Sequence, residues 1–403
     1  MALLPVAEAL KRVLASATPL GTELIGLRQA LGRTLAEHIE ARVDNPPFDA
    51  SAMDGYAVRA VDVPQVPTIL TMIGESGAGR PFSGEIAPGD TVRIFTGAPL
   101  PTRSDAVVIQ ENTSADGSRI TIQDPVKPGD NVRPTGQDFR KGQRLLEKGK
   151  RLTARDILLA AAAGHATLPV VRRPIVALLS TGDELVEPGT ELGQGQISAS
   201  NSFGLAAVVE AAGGEARVLG IARDTLQSLA AALDQAAGAD VLVTIGGASV
   251  GDHDLVRPAL EKAGAKLDFY KIAMRPGKPL FFGSRTIGGS RQHCLGLPGN
   301  PVSSLICSRV FLVPLIGRLL GREAPLESID AVLAEPLPAN GSREHYMRAR
   351  LDLSTSPARA APFKNQDSGL ITALQNADCL IVVPADAPAQ AAGTPVKVLK
   401  LDI

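Results

Sequence analysis

Val241-Leu242-Val243-Thr244-Ile245-Gly246-Gly247-Ala248-Ser249-Val250-Gly251-Asp252-His253-Asp254 joins an apolar run to a glycine-rich turn and then to two carboxylates. The run reads as a buried strand. Glycines carry no Cβ, so a turn of this kind can bring backbone N–H groups close to a phosphate. Asp252 and Asp254 would repel that anion unless a divalent cation lay between them. The stretch therefore reads as a metal-assisted phosphate site. It also fits a tight βα connection with an aspartate near a helix N-terminus. A third reading takes Gly247 to Gly251 as the nucleophile elbow of a serine hydrolase, with Ser249 as nucleophile and His293 or His345 as base. An elbow leads straight into a helix, whereas Asp252 to Leu255 intervene here.

Outward from this stretch, the 403-residue chain is too long for one core and implies roughly two to four domains. With 44% hydrophobic and 21% charged residues, its composition is that of an ordinary soluble protein. Its 41 basic and 42 acidic side chains leave no overall positive field to hold nucleic acid. The absence of Trp argues against stacking platforms for single strands. Cys294, Cys307 and Cys379 are far apart, which excludes a zinc ribbon and a disulfide framework and suits a reducing compartment. The N-terminus has no basic region leading into a long apolar run, so a cytoplasmic protein without a membrane segment is expected.

Val6, Leu10, Val13 and Leu14 recur at helical spacing and predict an amphipathic helix. Short β-type runs at 68–73, 92–95 and 106–110 lie between Gly and Pro turns. Within this region Pro88-Gly89-Asp90-Thr91-Val92-Arg93 recurs as Pro128-Gly129-Asp130-Asn131-Val132-Arg133. Each copy soon reaches a Thr-Gly pair, Thr96-Gly97 and Thr135-Gly136. Thr153 and Asp156 resemble a capping box, and Gly164 can end that helix. From 174 to 322, strand-like runs (175–179, 216–219, 241–245) alternate with helical ones (203–212, 226–237), as in a parallel sheet that binds ligands beyond its carboxyl ends. Leu297-Pro298-Gly299-Asn300-Pro301 closes the block, with Asn300 as N-cap and Pro301 as first helical residue. Short strands at 329–333, 346–353, 380–383 and 396–401 follow.

The expected fold is multidomain α/β plus β. An elongated N-terminal segment (1–48 with 139–172) carries an inserted small β domain (49–138). A central doubly wound three-layer α/β domain (173–327) precedes a C-terminal β-barrel-like domain (328–403).

Six polar loops stand out: Asp49-Ala50-Ser51-Ala52-Met53-Asp54-Gly55-Tyr56-Ala57-Val58, Phe95-Thr96-Gly97-Ala98-Pro99, Ser180-Thr181-Gly182-Asp183-Glu184, residues 244–254, Arg275-Pro276-Gly277-Lys278-Pro279, and residues 297–301. In this order, over nearly the whole chain, they resemble the molybdopterin molybdenumtransferases, the molybdenum insertases that include the E domain of gephyrin. The resemblance implies a homodimeric enzyme that binds adenylated molybdopterin, cleaves its pyrophosphate with a divalent cation such as Mg²⁺, inserts molybdate and releases AMP. The upstream adenylyltransferase would be a partner.

Under that resemblance Asp54, Thr96, Asp138, Glu184 and Asp224 serve catalysis. Glu184 with Asp252 and Asp254 would hold the metal. Gly246, Gly247, Ser249, Pro298, Gly299, Asn300 and Ser368 would contact substrate, and Lys271, Arg275 and Lys278 would supply charge-assisted donors to the anions. Local alternatives stand beside these roles: Asp54 and Thr96 as turn residues, Glu184 as a first-turn helix carboxylate, and Asp138 and Asp224 as solvated surface groups. Arg275 stands where the family commonly has Lys, so the geometry of anion capture differs from that of an ammonium. Two other functions fit the central region, a nucleotide-handling enzyme of the same fold and a non-catalytic scaffold. The flanking β regions favour an insertase over the first, and the carboxylate set favours it over the second.

Overall fold

The computed structural model describes residues 3–247, 255–322, 326 and 328–401. They form two compact units, one of residues 24–169 and one of residues 1–23 with 170–403.

In the first unit six short strands form one sheet, in the order Ala106–Ile109, Gly55–Val58, Asp90–Ile94, Thr68–Ser76, Arg119–Ile122, Thr113–Asp116. All neighbours run antiparallel except Thr68–Ser76 with Asp90–Ile94. Side chains alternate between faces. Tyr56, Val58 and Val108 therefore join one apolar cluster, and Ala57 and Val107 join another. Gly55 is required here, because a Cβ would stand 1.9 Å from the Val108 carbonyl oxygen. Helix Ala154–Ala162 carries the expected capping box, with Thr153 accepting from Asp156 N–H and the Asp156 carboxylate accepting from Thr153 N–H. Gly164 follows the helix with φ +88°, the left-handed conformation that ends it.

The second unit holds a six-stranded sheet in the order Glu215–Ala222, Ile175–Thr181, Val241–Ile245, Ser290–Leu297, Phe281–Ile287, Lys266–Tyr270. The first four strands are parallel. Contrary to a purely parallel reading, Phe281–Ile287 runs antiparallel to both neighbours. Gly288-Gly289, both at positive φ, form a two-residue turn that sends the chain straight back into Ser290–Leu297, a turn only such residues make readily. Helices Leu226–Gln235 and Val256–Lys262 pack on one face, over Ala177, Leu179, Leu242 and Phe281. Helix Asn201–Ala211 packs against Ile175–Thr181 and against the helix that starts at Pro301.

The 301–319 helical segment is long and apolar enough to cross a membrane, but 78% of its most apolar window is buried within the protein, as in a core helix. A π-helical turn, Ser308–Leu312, interrupts it. Helix Val6–Ala15 rests on its last part, burying Val6, Ala9 and Val13.

Downstream, Ser328–Leu333, Glu344–Asp352, Arg359–Pro362, Cys379–Val383 and Pro395–Lys400 close into a five-stranded barrel around Leu333, Ala349, Ile381 and Val398. Met274–Arg275 adds a parallel edge to Glu344–Asp352. All three cysteines are free and buried, and burial pushes the Cys294 thiol up to about 11.

Candidate functional site

The register of the parallel strands decides where the polar loops meet. Thr181 lies opposite Ala222, Ser180 opposite Ile245, and Ile245 opposite Leu297, so all four strands end along one edge. The loops that follow converge there on a cavity of about 700 Å³, lined by Glu184, Asp224, Gly246, Gly247, Pro298, Gly299 and Asn300 among others. This is the position at which open α/β sheets bind ligands, and the volume suits a nucleotide-sized molecule.

Gly246 and Gly247 adopt φ +92° and +59°. A Cβ on Gly246 would lie 2.7 Å from the Thr181 carbonyl oxygen, and one on Gly247 would lie 2.2 Å from Val256 Cγ2. Both the backbone conformation and the space therefore demand glycine. One expectation is corrected: Gly246 N–H is not bare, since it donates to Leu297 O at 3.0 Å and prolongs the sheet. Gly182 has φ +147°, and a Cβ there would stand 2.4 Å from a Glu184 carboxylate oxygen. The Glu184 carboxylate thus folds back over a bare turn. Asp224 N–H donates to Asp183 Oδ1 at 3.2 Å, which ties the second acidic loop to the first.

Asn300 occupies the N-cap position ahead of Pro301, as its sequence implies, but its side chain does not cap. Its Nδ2 donates instead to Ser368 Oγ at 2.8 Å. Val302 N–H donates to Ser368 O at 3.3 Å, so the loop carrying Ser368 is fastened to the start of the helix, and Gly369 and Ile371 complete the cavity wall. The loop owes its shape to Arg348, only 1% exposed. Its guanidinium donates to the carbonyls of Asn365, Asp367 and Leu370 and to Gln366 Oε1. Sequence reasoning missed Arg348, whose strand carries no local sign of this task. It also missed Asn201, whose Nδ2 donates to Gly299 O at 2.6 Å. The polar cluster Ser198-Ala199-Ser200-Asn201-Ser202, just ahead of a helix, was the available signal.

Three cationic candidates stand apart from this cavity. Lys271, at φ +68°, lies over the Tyr270 ring, and neither it nor Lys278 is among the lining residues. Arg275 lines a second cavity of about 440 Å³ beside the barrel, with His345, Lys364 and Asp367. Ser249, Asp252 and Asp254 lie outside the described residues. No cluster of three His, Cys, Asp or Glu side chains that could hold a metal occurs among the described residues. The hydrolase reading loses its bases. His293 pairs with Val241 at the far end of the strands, about 13 Å from Ile245 by strand rise, and His345 lies on the second cavity.

In the residue 24–169 unit, Asp54 Oδ1 accepts from Thr96 N–H at 2.7 Å and from Thr96 Oγ1 at 2.8 Å. These bonds, the backbone one first, hold its carboxyl below the usual range. The repeated sequence has the same clasp, with Asp49 Oδ1 accepting from Thr135 N–H and Oγ1 at 2.8 and 2.9 Å. Asp138 accepts from Asn45 Nδ2 at 3.1 Å and lines a cavity of about 380 Å³ with Gly97 and Arg133.

Three family models match the chain: the MoeA N-terminal region (domain I and II) over residues 4–164, a probable molybdopterin binding domain over 177–318, and the MoeA C-terminal region (domain IV) over 330–401. The molybdopterin molybdenumtransferase of Nostoc sp. is 36% identical over 95% of this chain and 89% of its own length. That of Bacillus subtilis is 36% identical over 98% and 94%. Among solved structures, a molybdopterin biosynthesis moeA protein from Pyrococcus horikoshii superposes with a TM-score of 0.82 at 29% identity, covering 99% of this chain and 100% of its own.

Proposed function

The chain belongs to the molybdopterin molybdenumtransferases, transferases of molybdenum cofactor biosynthesis, and from that membership we propose that it is a molybdenum insertase. Its substrates are adenylated molybdopterin and molybdate, and it releases AMP. The observation that carries this reading is the convergence of the Glu184, Asp224, Gly246-Gly247 and Gly299-Asn300 loops on one cavity at the carboxyl ends of the parallel strands.

The cavity's chemistry suits a pyrophosphate held through a cation. Gly247 lines the cavity, and so do Asn300 and Pro301 at the start of the Pro301 helix. Two hard oxygen donors, Glu184 and Asp224, line the wall, of the chemistry that Mg²⁺ takes. Glu184 and Asp224 would hold such a cation, which would supply charge neutralisation to the phosphates. Asn300, Ser368 and Asn201 orient the substrate. Arg275 and Lys278 receive the oxyanion, and Asp54, Thr96 and Asp138 serve catalysis.

The protein acts in the cytoplasm as a homodimer, downstream of an adenylyltransferase that makes its substrate. Leu24, Leu31 and Leu158, all more than 60% exposed, form apolar surface that a second copy would cover. A stable monomer in light scattering at micromolar concentration would contradict the dimer. Mass spectrometry of ligand co-purified from molybdate-starved cells tests the activity itself. Retained adenylated molybdopterin is expected, and a different nucleotide in its place would overturn the reading.

A further inference from the structure

The cavity beside the barrel has a feature that charge attraction alone does not explain. Arg275 and His345 are register partners on adjacent strands, so both side chains leave the sheet on the same side. Lys364 and Asp367 face them from the loop that Arg348 holds. Among the described residues neither Arg275 nor Lys364 has a carboxylate within ion-pair distance. Asp367, the one lining carboxylate, accepts from Gly369 N–H at 2.7 Å. His345 is only 7% exposed, and its ring forms no hydrogen bond with a described residue. A buried imidazole without a partner, facing two uncompensated cations, is an arrangement that an anion would complete.

We propose that this cavity takes a compact dianionic oxyanion between Arg275 and Lys364, and that His345 takes up a proton as the anion enters and becomes its third charged donor. This rests on the assignment of Arg275 to oxyanion capture and deepens it. Binding would thereby be coupled to pH, and the coupling would belong to one side chain.

The groups around His345 set the sign. Arg275 faces it from the neighbouring strand, Arg343 and Arg348 from its own segment, Lys364 and Asp367 from the loop, and apolar Val383 from the opposite strand. The Glu344 carboxylate is turned away, accepting from the Tyr346 hydroxyl. Burial first, and then the three arginines, push the imidazole down to about 4, so it is neutral near neutrality. A dianion offsets the arginines and raises that value. By linkage, affinity must then rise as pH falls, by up to about tenfold per unit within the window between the free and bound values.

The test uses the full chain and sulfate, which keeps its charge across mild acid. Titration calorimetry is run between about pH 7 and about pH 5, in buffers of different ionisation heat. The wild type is expected to bind sulfate roughly fivefold to tenfold tighter at the acid end, with net proton uptake, while His345→Gln binds with little pH dependence. Arg275→Ala should lose roughly tenfold or more at every pH. If His345→Gln keeps the wild-type pH dependence, the proton coupling is wrong while the oxyanion cavity stands. Unchanged sulfate binding by Arg275→Ala would remove the cavity reading as well. Should His345→Gln fail to fold, NMR titration of the imidazole in the wild type decides the question. A His345 pKa that saturating sulfate leaves in place overturns the proposal.

Discussion

The cavity at the edge of the parallel sheet is walled by glycine, serine, asparagine and the carboxylates Glu184 and Asp224. The cavity beside the barrel is walled by Arg275, Lys364 and His345 against one carboxylate, Asp367. The difference follows from how each region is built. Parallel strands that end in register bring several short turns together, and such turns favour small residues and main-chain donors. An edge strand paired with a barrel strand instead places chosen side chains next to each other, as Arg275 and His345 show. Two cavities keep apart charges that would neutralise each other in one place. On the proposed function, a site that holds a cation through carboxylates thus coexists with a site that holds an oxyanion through cations.

Substitutions that act on one cavity alone should sharpen this contrast. The largest effect is expected from Glu184→Gln, which removes one charge from the proposed phosphoryl site. It should slow Mg²⁺-dependent AMP release by roughly 10²-fold or more while leaving the melting temperature unchanged. Unchanged turnover in the folded variant would remove Glu184 from the site. Arg275→Ala comes next. Losing a charge-assisted partner costs about 1.5 to 3 kcal/mol, so the molybdate concentration needed for insertion should rise roughly tenfold to over a hundredfold. Affinity for adenylated molybdopterin should change little, and Arg275→Lys should recover much of the loss. If Arg275→Ala weakened nucleotide binding and left the molybdate requirement alone, the separation of the two cavities would break down.

A third experiment compares the regions through acid stability. His293, on the sheet, and His345, beside the barrel, are both lowered to about 4, chiefly by burial. The unfolded chain binds these protons near pH 6.5 and the folded chain only near 4. Their contribution is therefore complete above about 6.5 and is lost as pH falls toward 4. Asp156, which burial alone would raise but which its bonds to Lys150 and Thr153 together hold low, loses its contribution only below its ordinary value of 3.8. Denaturant titrations should show the histidine loss first, and His293→Gln and His345→Gln should each flatten it. The smallest effect is expected at the joint between the regions. Ser368→Ala removes the 2.8 Å bond from Asn300 and should weaken nucleotide binding only a few-fold, in line with about 0.5 to 1.5 kcal/mol for a neutral hydrogen bond.

What the sequence revealed was local. Residues 241–247 and 297–301 encode a strand end, a turn and a helix start within a few positions each, and both stand where their composition implies. The capping box at Thr153 is of the same kind. The signal failed where a role depends on residues far apart in the chain. Nothing near Arg275 announces His345, and nothing near Arg348 announces the loop it holds. Arg359–Pro362, with the sequence Arg-Ala-Ala-Pro, becomes a strand only because the barrel needs one to close. The antiparallel insertion was signalled by Gly288-Gly289, but helix-and-strand alternation is a coarser pattern and hid it.

The Arg348 anchor has a consequence for redesign. Three of its four acceptors are main-chain carbonyls, and every residue type supplies a carbonyl. The path of residues 365–370 is therefore specified partly from outside the loop, and partly by the side chains of Asn365 and Asp367, which accept from Asp367 N–H and Gly369 N–H. New recognition chemistry could be grafted at Ser368 and would inherit a ready-made shape as long as the arginine, its partner Gln366, and Asn365 and Asp367 are retained. Transplanting the loop without them would carry over the letters and lose the conformation.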